Sequence, residues 1–506
     1  MTGSDNVRAK LARGALWLAG GRVITNLLGL VSTLILARLL LPADFGLVAL
    51  ATTLFGILTA MTNISLGSAL VQHKAPEREH YDTVWTLNIG RGIVVGLIFA
   101  AMATAAADFF VEPRLVNIML ALSASAILQG FESPRLIVLT RNLIFWQQAM
   151  RLIGQKAATL IVSVVLAFLT QSYWAIVFGV IAGQVATVVI SYLVAPYNPR
   201  FGVSRTRELL SFSMWLSFCD FINTLNWNFD NLIVSKLMGS TALGYYTVGN
   251  NMATIPTREL TAPLTDPLFP AFSRLGGSRE RLAAAYQRSQ ALVTAAALPA
   301  GIGLALVAEP FVLLTMGEKW LPAVLVIQCL SAIFAIQTLG SLAQPLAMSV
   351  GRTPLLFRRD LLSFAYRIPL MALGAYYGGL PGILYMRILT GLLVIIFNMN
   401  IVSKVAGLGY FDQLAANVRT FAGCAVMAVA VSAVFCLLPS ASTQAALLVG
   451  LAAAVVAGAL AYVATVATAW LLMKRPPGVE QEVSNFILRT IAMIRQRLAK
   501  SSTRTR

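Results

Sequence analysis

Apolar stretches long enough to cross a bilayer follow one another from end to end of this chain, and that rules out a soluble fold. A helix needs about 20 apolar residues to span a hydrocarbon core about 30 Å thick. By that measure about fourteen spans are expected, at 14–40, 45–71, 83–108, 115–138, 148–170, 173–195, 208–237, 242–270, 287–313, 322–350, 355–377, 381–403, 414–438 and 443–473. Several carry internal polar residues, and about twelve is the alternative count. Only 11% of the 506 residues are charged, where a soluble chain carries about 25%. The expected class is an all-α polytopic membrane protein. A net charge of +18 invites a nucleic-acid partner. The basic residues sit instead in short loops between spans, so no nucleic acid is expected.

Loop charge gives the topology. The first 13 residues carry Arg8, Lys10 and Arg13, and the apolar run after them is too long for a signal peptide. With a cytoplasmic N-terminus, the loops assigned inside hold Lys74 and Arg78; Arg135 and Arg141; Arg200, Arg205 and Arg207; Arg274, Arg279 and Arg281; Arg352, Arg358 and Arg359; Lys404; and Lys474 and Arg475. The outside connections hold only Arg38, Arg114, Lys236 and Lys319 at their edges. The alternation never breaks, as expected when basic loops stay inside. The outside turns PADFG, DFFVEPR, GSTALG, MGEKWLP and YYGGLPG leave no room for an external domain. The inside segment 196–207, PYNPRFGVSRTR, reads as a linker. After Pro476–Pro477, Val479–Leu498 sets Val483, Phe486, Ile487, Ile491, Ile494 and Leu498 opposite Arg489, Arg495 and Arg497. That pattern suits a helix lying on anionic membrane lipids, or one packed on another cytoplasmic loop.

The chain writes one stretch twice. Residues 34–53, LILARLLLPADFGLVALATT, align at a constant offset with 232–251, LIVSKLMGSTALGYYTVGNN. Arg38 meets Lys236 and Gly46 meets Gly244. Each copy reads as an apolar helix that runs to one cation, breaks at a small-residue turn and restarts at the glycine. LSASAILQ at 122–129 likewise matches LSAIFAIQ at 330–337, with Pro134 and Arg141 falling where Pro345 and Arg352 fall. Two similar halves are common in transporters, with the substrate site at the repeat interface.

Charges inside the spans carry the chemistry. Each costs about 2.5–3.5 kcal/mol at mid-helix, so each is expected to face a partner or a water-filled cavity. The seven cations are Arg22, Arg91, Arg151, Lys156, Arg258, Arg367 and Arg387, against the four acids Asp220, Asp230, Glu259 and Asp266. A cavity with surplus positive charge suits an anion, above all phosphate, to which arginine offers two parallel hydrogen bonds. Polar residues share helix faces with these groups: Arg22 with Asn26, Asn88 with Arg91, Asn223 and Asn226 with Asp230, and Asn251 and Thr254 with Arg258. With Arg367, these residues are the expected substrate-binding set. Trp227, Tyr245 and Tyr246 suit sugar faces. A structural role, paired with Asp220 or Asp230 or snorkelling, stands level for Arg151 and Arg387. The four cysteines and His73 and His80 show no metal-ligand spacing, and the histidines read as a solvated loop. P-loop, HExxH and GxSxG motifs are absent, so neither an enzyme nor a cofactor is expected.

ARLLLPADFGLVALATTLFGILTAMTNISLGSALVQ (37–72), LGYYTVGNNMATIPTRELTAPLTDPLFPAFSRL (243–275) and MGEKWLPA (316–323) resemble the Wzx-type polysaccharide flippases, close to the colanic-acid-exporter branch. The resemblance spans about 10–405. It implies the MOP exporter fold, two pseudo-symmetric six-helix bundles in a V and two extra helices. On this chain the bundles fall at 1–200 and 201–406, the extra pair at 407–473, and a basic cytoplasmic tail at 474–506. It further implies flipping of undecaprenyl-pyrophosphate-linked oligosaccharide across the bacterial inner membrane by alternating access through a cationic central cavity. The polysaccharide polymerase and chain-length regulator are candidate partners. The alternatives are a lipid II flippase, a MATE-type drug/cation antiporter, which needs a neutral or acidic cavity, and a membrane polymerase, which needs larger external loops.

Overall fold

The computed structural model describes residues 3–63, 70, 76–141, 144–265, 267–275, 277–437 and 443–473. The expected tail helix, His73, Lys74, Asp266, Lys474 and Arg475 lie outside them. Every regular element among the described residues is helical. The principal helices are α1 (Gly3–Leu39), α2 (Pro42–Met61), α3 (Arg78–Ala101), α4 (Leu115–Gly130), α5 (Trp146–Thr170), α6 (Trp174–Val194), α7 (Thr206–Thr254), α8 (Arg279–Leu306), α9 (Leu321–Gln337), α10 (Thr353–Ala406), α11 (Val418–Leu437) and α12 (Gln444–Leu472). Ten described helices are long and apolar enough to cross a membrane. The two longest elements each bend at a glycine with positive φ: α7 at Gly239 (φ 81°) and α10 at Gly379 (φ 56°). At the second bend the chain doubles back so tightly that a methyl on Gly374 would lie 2.6 Å from the Gly382 carbonyl oxygen. Only glycine enters that backbone region without strain, so these two positions turn long helices into hairpins.

Contacts divide the chain into two compact units. The first comprises Met1–Asn251, Thr315–Val326 and Arg367–Met386. In it α1 packs on α5, α3 on α4 and α5 on α6. Small residues allow the close crossings that hold helices together in lipid. A methyl on Gly92 would lie 2.6 Å from the Ala126 carbonyl oxygen, and one on Gly179 1.8 Å from the Ser163 hydroxyl.

The two repeat copies stand against each other. A methyl on Gly46 would sit 1.7 Å from the Ser240 carbonyl oxygen, and one on Gly244 1.9 Å from the Pro42 carbonyl oxygen. Pro42 and Ser240 are themselves matched positions, so the contact is reciprocal, as across a two-fold axis. The turn differs from the sequence reading in one respect. The second helix of the first copy begins at Pro42, whose missing N–H costs nothing at that position, and Asp44 accepts the Leu41 N–H at 3.1 Å. Gly46 therefore lies inside α2, and close approach, not helix initiation, is what requires it.

MGEKW completes this end of the first unit. Trp320, fully buried, donates from Nε1 to the Ala37 carbonyl at 2.8 Å and meets the Phe45 and Tyr245 rings edge-on at 5.2 and 6.0 Å. Lys319 donates to the Arg38 and Leu40 carbonyls, each at 2.8 Å, and Arg38 donates to the Thr315 carbonyl at 2.7 Å. Burial and the neighbouring Arg38 push the Lys319 ammonium below its ordinary pKa.

The linker is fastened along α3. Tyr197 donates to Asp82 at 2.8 Å, and the Arg200 and Gly202 N–H groups donate to Asp82 and Thr86, each at 3.0 Å. Arg205 pairs with Glu77 and Glu79 at 3.2 and 3.3 Å. His80 is not a solvated loop residue, as its sequence context suggested. It is buried in the first turn of α3, where its Nδ1 accepts the Glu77 N–H at 3.2 Å.

The second unit comprises Met252–Leu314, Ile327–Tyr366 and Arg387–Arg506. α8, capped by Ser278, packs against α11, and α11 against α12. Tyr462 on α12 donates to the Ala295 carbonyl on α8 at 2.8 Å. Its core gathers Phe272, Leu282, Tyr286, Val293, Leu342 and Val402.

Candidate functional site

The α7 hairpin brings together three of the expected substrate residues, but on each other. Asp230 on the first arm accepts hydrogen bonds from Tyr246 on the second arm at 2.8 Å and from Arg367 Nη2. Arg367 Nη1 also donates to Asn226 at 3.2 Å. Asp230 is 3% and Arg367 9% exposed. A charge pair this deep is tolerable because the partners are hydrogen-bonded as well as opposite in sign. Its chemistry is to fasten the 367–386 segment to α7.

A second cluster lies within the N-terminal helices. Arg91 on α3 donates to Asn63, just past α2, at 3.0 Å. Arg151 on α5 pairs with Glu132, in the turn after α4, at 3.2 Å. Glu132 is also within electrostatic reach of Arg91 and lies beside Gln184. The sequence reasoning missed Glu132, although it falls within the expected span 115–138. Two arginines here share one carboxylate, leaving a net positive charge. The side chain of Arg151, left open by the sequence, is thus paired.

The other expected residues are placed as follows. Arg22 is exposed and Asn26 half-buried on α1, where neighbouring Gly21 packs on Ala149 of α5. Asn88 is half-buried one turn from Arg91, its carbonyl against Gly130. Asn223 is exposed and accepts from Trp227 Nε1 at 3.1 Å. Asn251 is exposed near the end of α7. Arg258 falls in the π-helical turn Ile255–Glu259 of the second unit, and its side chain, like those of Asp220 and Glu259, lies outside the description. Lys156 is exposed, and Arg387 sits over the Phe334 ring at 5.5 Å. Among the described residues no three His, Cys, Asp or Glu are grouped to hold a metal ion.

Residues 35–325 match the family described as "Polysaccharide biosynthesis protein", more than half of the chain. The chain belongs to this family. Relatives include "Lipopolysaccharide biosynthesis protein WzxC" of Escherichia coli (strain K12), 25% identical over 391 residues that cover 75% of this chain and 78% of the relative. "Succinoglycan biosynthesis transport protein ExoT" of Rhizobium meliloti (strain 1021) is 26% identical over 382 residues, covering 75% and 77%. Among solved structures, lipid II flippase MurJ in an inward closed conformation superposes with a TM-score of 0.70 at 13% identity, covering 90% of this chain and 99% of that one. An inward-facing multidrug MATE transporter of the MOP superfamily reaches 0.59 at 13% identity, covering 79% and 95%. These likenesses establish the fold: this family member is a multi-pass membrane protein, helical throughout its described elements, with the fold of those two transporters.

Proposed function

We propose that this protein translocates lipid-linked oligosaccharide units across the bacterial inner membrane, holding the diphosphate of the carrier lipid on arginines within its spans. Family membership, the lipopolysaccharide biosynthesis name of WzxC and the succinoglycan transport name of ExoT support the substrate class. The observation that carries the chemistry is the pair Arg91 and Arg151 set against the single carboxylate of Glu132. A fixed positive surplus in a low dielectric attracts a polyanion strongly and costs little reorganisation when it arrives.

In this reading Arg22, Arg91 and Arg258 supply the positive charge that holds the diphosphate. The Asn26, Asn88, Asn223 and Asn251 amides face the sugars. Binding offsets the repulsion between arginines, so it biases the equilibrium between inward and outward states. Fourteen crossings, two similar bundles at 1–200 and 201–406, and cytoplasmic termini complete the arrangement. The protein carries out no covalent step of its own, and the polymerase and chain-length regulator receive its product.

The test is surface polysaccharide in a complemented deletion strain, with membrane protein quantified alongside. Arg91→Ala and Arg22→Ala should each lower export by about 10-fold or more, the loss expected for charge-assisted hydrogen bonds worth about 1.5–3 kcal/mol. Lysine should retain part of it. Full export by both alanine variants, singly and together, would place the phosphate elsewhere. Lipid II accumulating in the deletion strain, in place of another lipid-linked oligosaccharide, would change the substrate.

A further inference from the structure

The cluster around Glu132 contains an acid that an anion-binding site does not need. Arg151 Nη1 faces both carboxylate oxygens of Glu132, at 3.2 and 3.4 Å. The side chains are 20% and 28% exposed, so the pair is less enclosed than Asp230 with Arg367. Arg91, held by Asn63 through Nη1, feels the same carboxylate, and its Nε is buried without a hydrogen-bond partner among the described residues. Glu132 sits in a turn, not within a helix, so its backbone is the least constrained of the three.

We propose that Glu132 is a stand-in anion: it occupies Arg151 and screens Arg91 while no substrate is present, and the substrate's phosphate displaces it. This rests on the reading that the arginines bind phosphate. The device keeps two nearby arginines from repelling each other in the empty site. It also sets affinity, because the incoming anion must break one ion pair to make its own, and that lost interaction limits how tightly product is held. Asp230, by contrast, is too enclosed to be exchanged.

The measurement is binding of inorganic pyrophosphate to the purified full-length protein in detergent, by calorimetry. Glu132→Gln and Glu132→Ala remove the competitor and should each tighten binding roughly tenfold, within the usual range of coupling between charged sites. Arg151→Gln should weaken it roughly tenfold and cancel the gain when combined with Glu132→Gln. In cells, Glu132→Gln should export less than wild type despite tighter binding, because release slows. Unchanged or weaker pyrophosphate binding by both Glu132 variants would overturn the proposal. So would failure of both to yield monodisperse protein, since the pair would then be holding the fold. If Glu132→Gln tightens binding while Arg91→Ala and Arg22→Ala export normally, the stand-in stands and the assignment of those arginines to transport fails.

Discussion

Cations in this protein spend much of their charge on backbone carbonyls. Arg279 and Arg352 donate to the carbonyls of Ser403 and Lys404 in the last turn of α10, where the helix dipole leaves partial negative charge. Arg135 and Arg78 do the same for Pro196 and Asn198 at 2.7 and 3.1 Å. The Asp230–Arg367 pair is different, because each charge depends on the other. Asp230→Asn alone strands a buried guanidinium and should cost about 3–5 kcal/mol, whereas Asp230→Asn with Arg367→Gln removes both charges and should cost far less. Thermal midpoints in detergent of both singles and the double would decide it; additive losses would mean that the two groups act independently. Tyr197 offers a pH readout. Burial, and Asp82 accepting its proton, push its hydroxyl up to about 12 from an ordinary 10. The folded state therefore holds that proton longer than the unfolded one. The stabilisation is whole below pH 10 and drains away as pH climbs towards 12. Phenolate absorbance should contain a component titrating near pH 12 that Tyr197→Phe removes.

Among the elements, the tightest constraint is where the start of α2 meets the second arm of α7. Gly46→Ala and Gly244→Ala each drive a methyl into a backbone oxygen that cannot rotate away. Each should cost at least about 1–3 kcal/mol, the usual penalty of overpacking. Because the contact is reciprocal, the two losses should be similar. The double variant should lose less than their sum, since the first methyl has already parted the segments. Folded yield and melting of the three variants measure this. Much at this scale was legible in the sequence: most apolar stretches and the matched glycines fall on helices and their contacts, although the expected spans 115–138, 242–270 and 322–350 run past the helix ends at Gly130, Thr254 and Gln337. The hairpin apices at Gly239 and Gly379 fall in two of the stretches expected to be short turns, GSTALG and YYGGLPG. The role of Gly46 was misread, because a glycine that starts a helix and one that admits a neighbour look alike in one dimension.

For the whole molecule, the two compact units follow space and not chain order: Thr315–Val326 and Arg367–Met386 join the first unit with residues 1–251. This is why the site was only half legible. A sequence shows that a span carries a charge but not which distant residue neutralises it, and Asp230 and Arg367 stand 137 residues apart. Seven cations were weighed against four acids, yet Arg367 and Arg151 are each engaged by a carboxylate, and one of those, Glu132, was not in the balance. Arg91 was expected beside Asn88, yet the amide that accepts from it is that of Asn63, 28 residues away. Orientation is testable at this scale. Tyr376, 81% exposed beside the Gly379 apex, should label as cysteine with an impermeant reagent in whole cells, and Arg205→Cys should not. Labelling at position 205 would reverse the topology.

The reciprocal seat of Gly46 on Ser240 and Gly244 on Pro42 has a bearing on ancestry. Had the halves begun as identical copies, this contact would have set the glycine of each on the turn residue of the other, as in a homodimer, so a single change would have struck twice. Joined in one chain, the copies are free to diverge wherever they do not touch. Here they are not, because each glycine is the other's surroundings. The two positions should drift as one, and sequences that relax the first should relax the second.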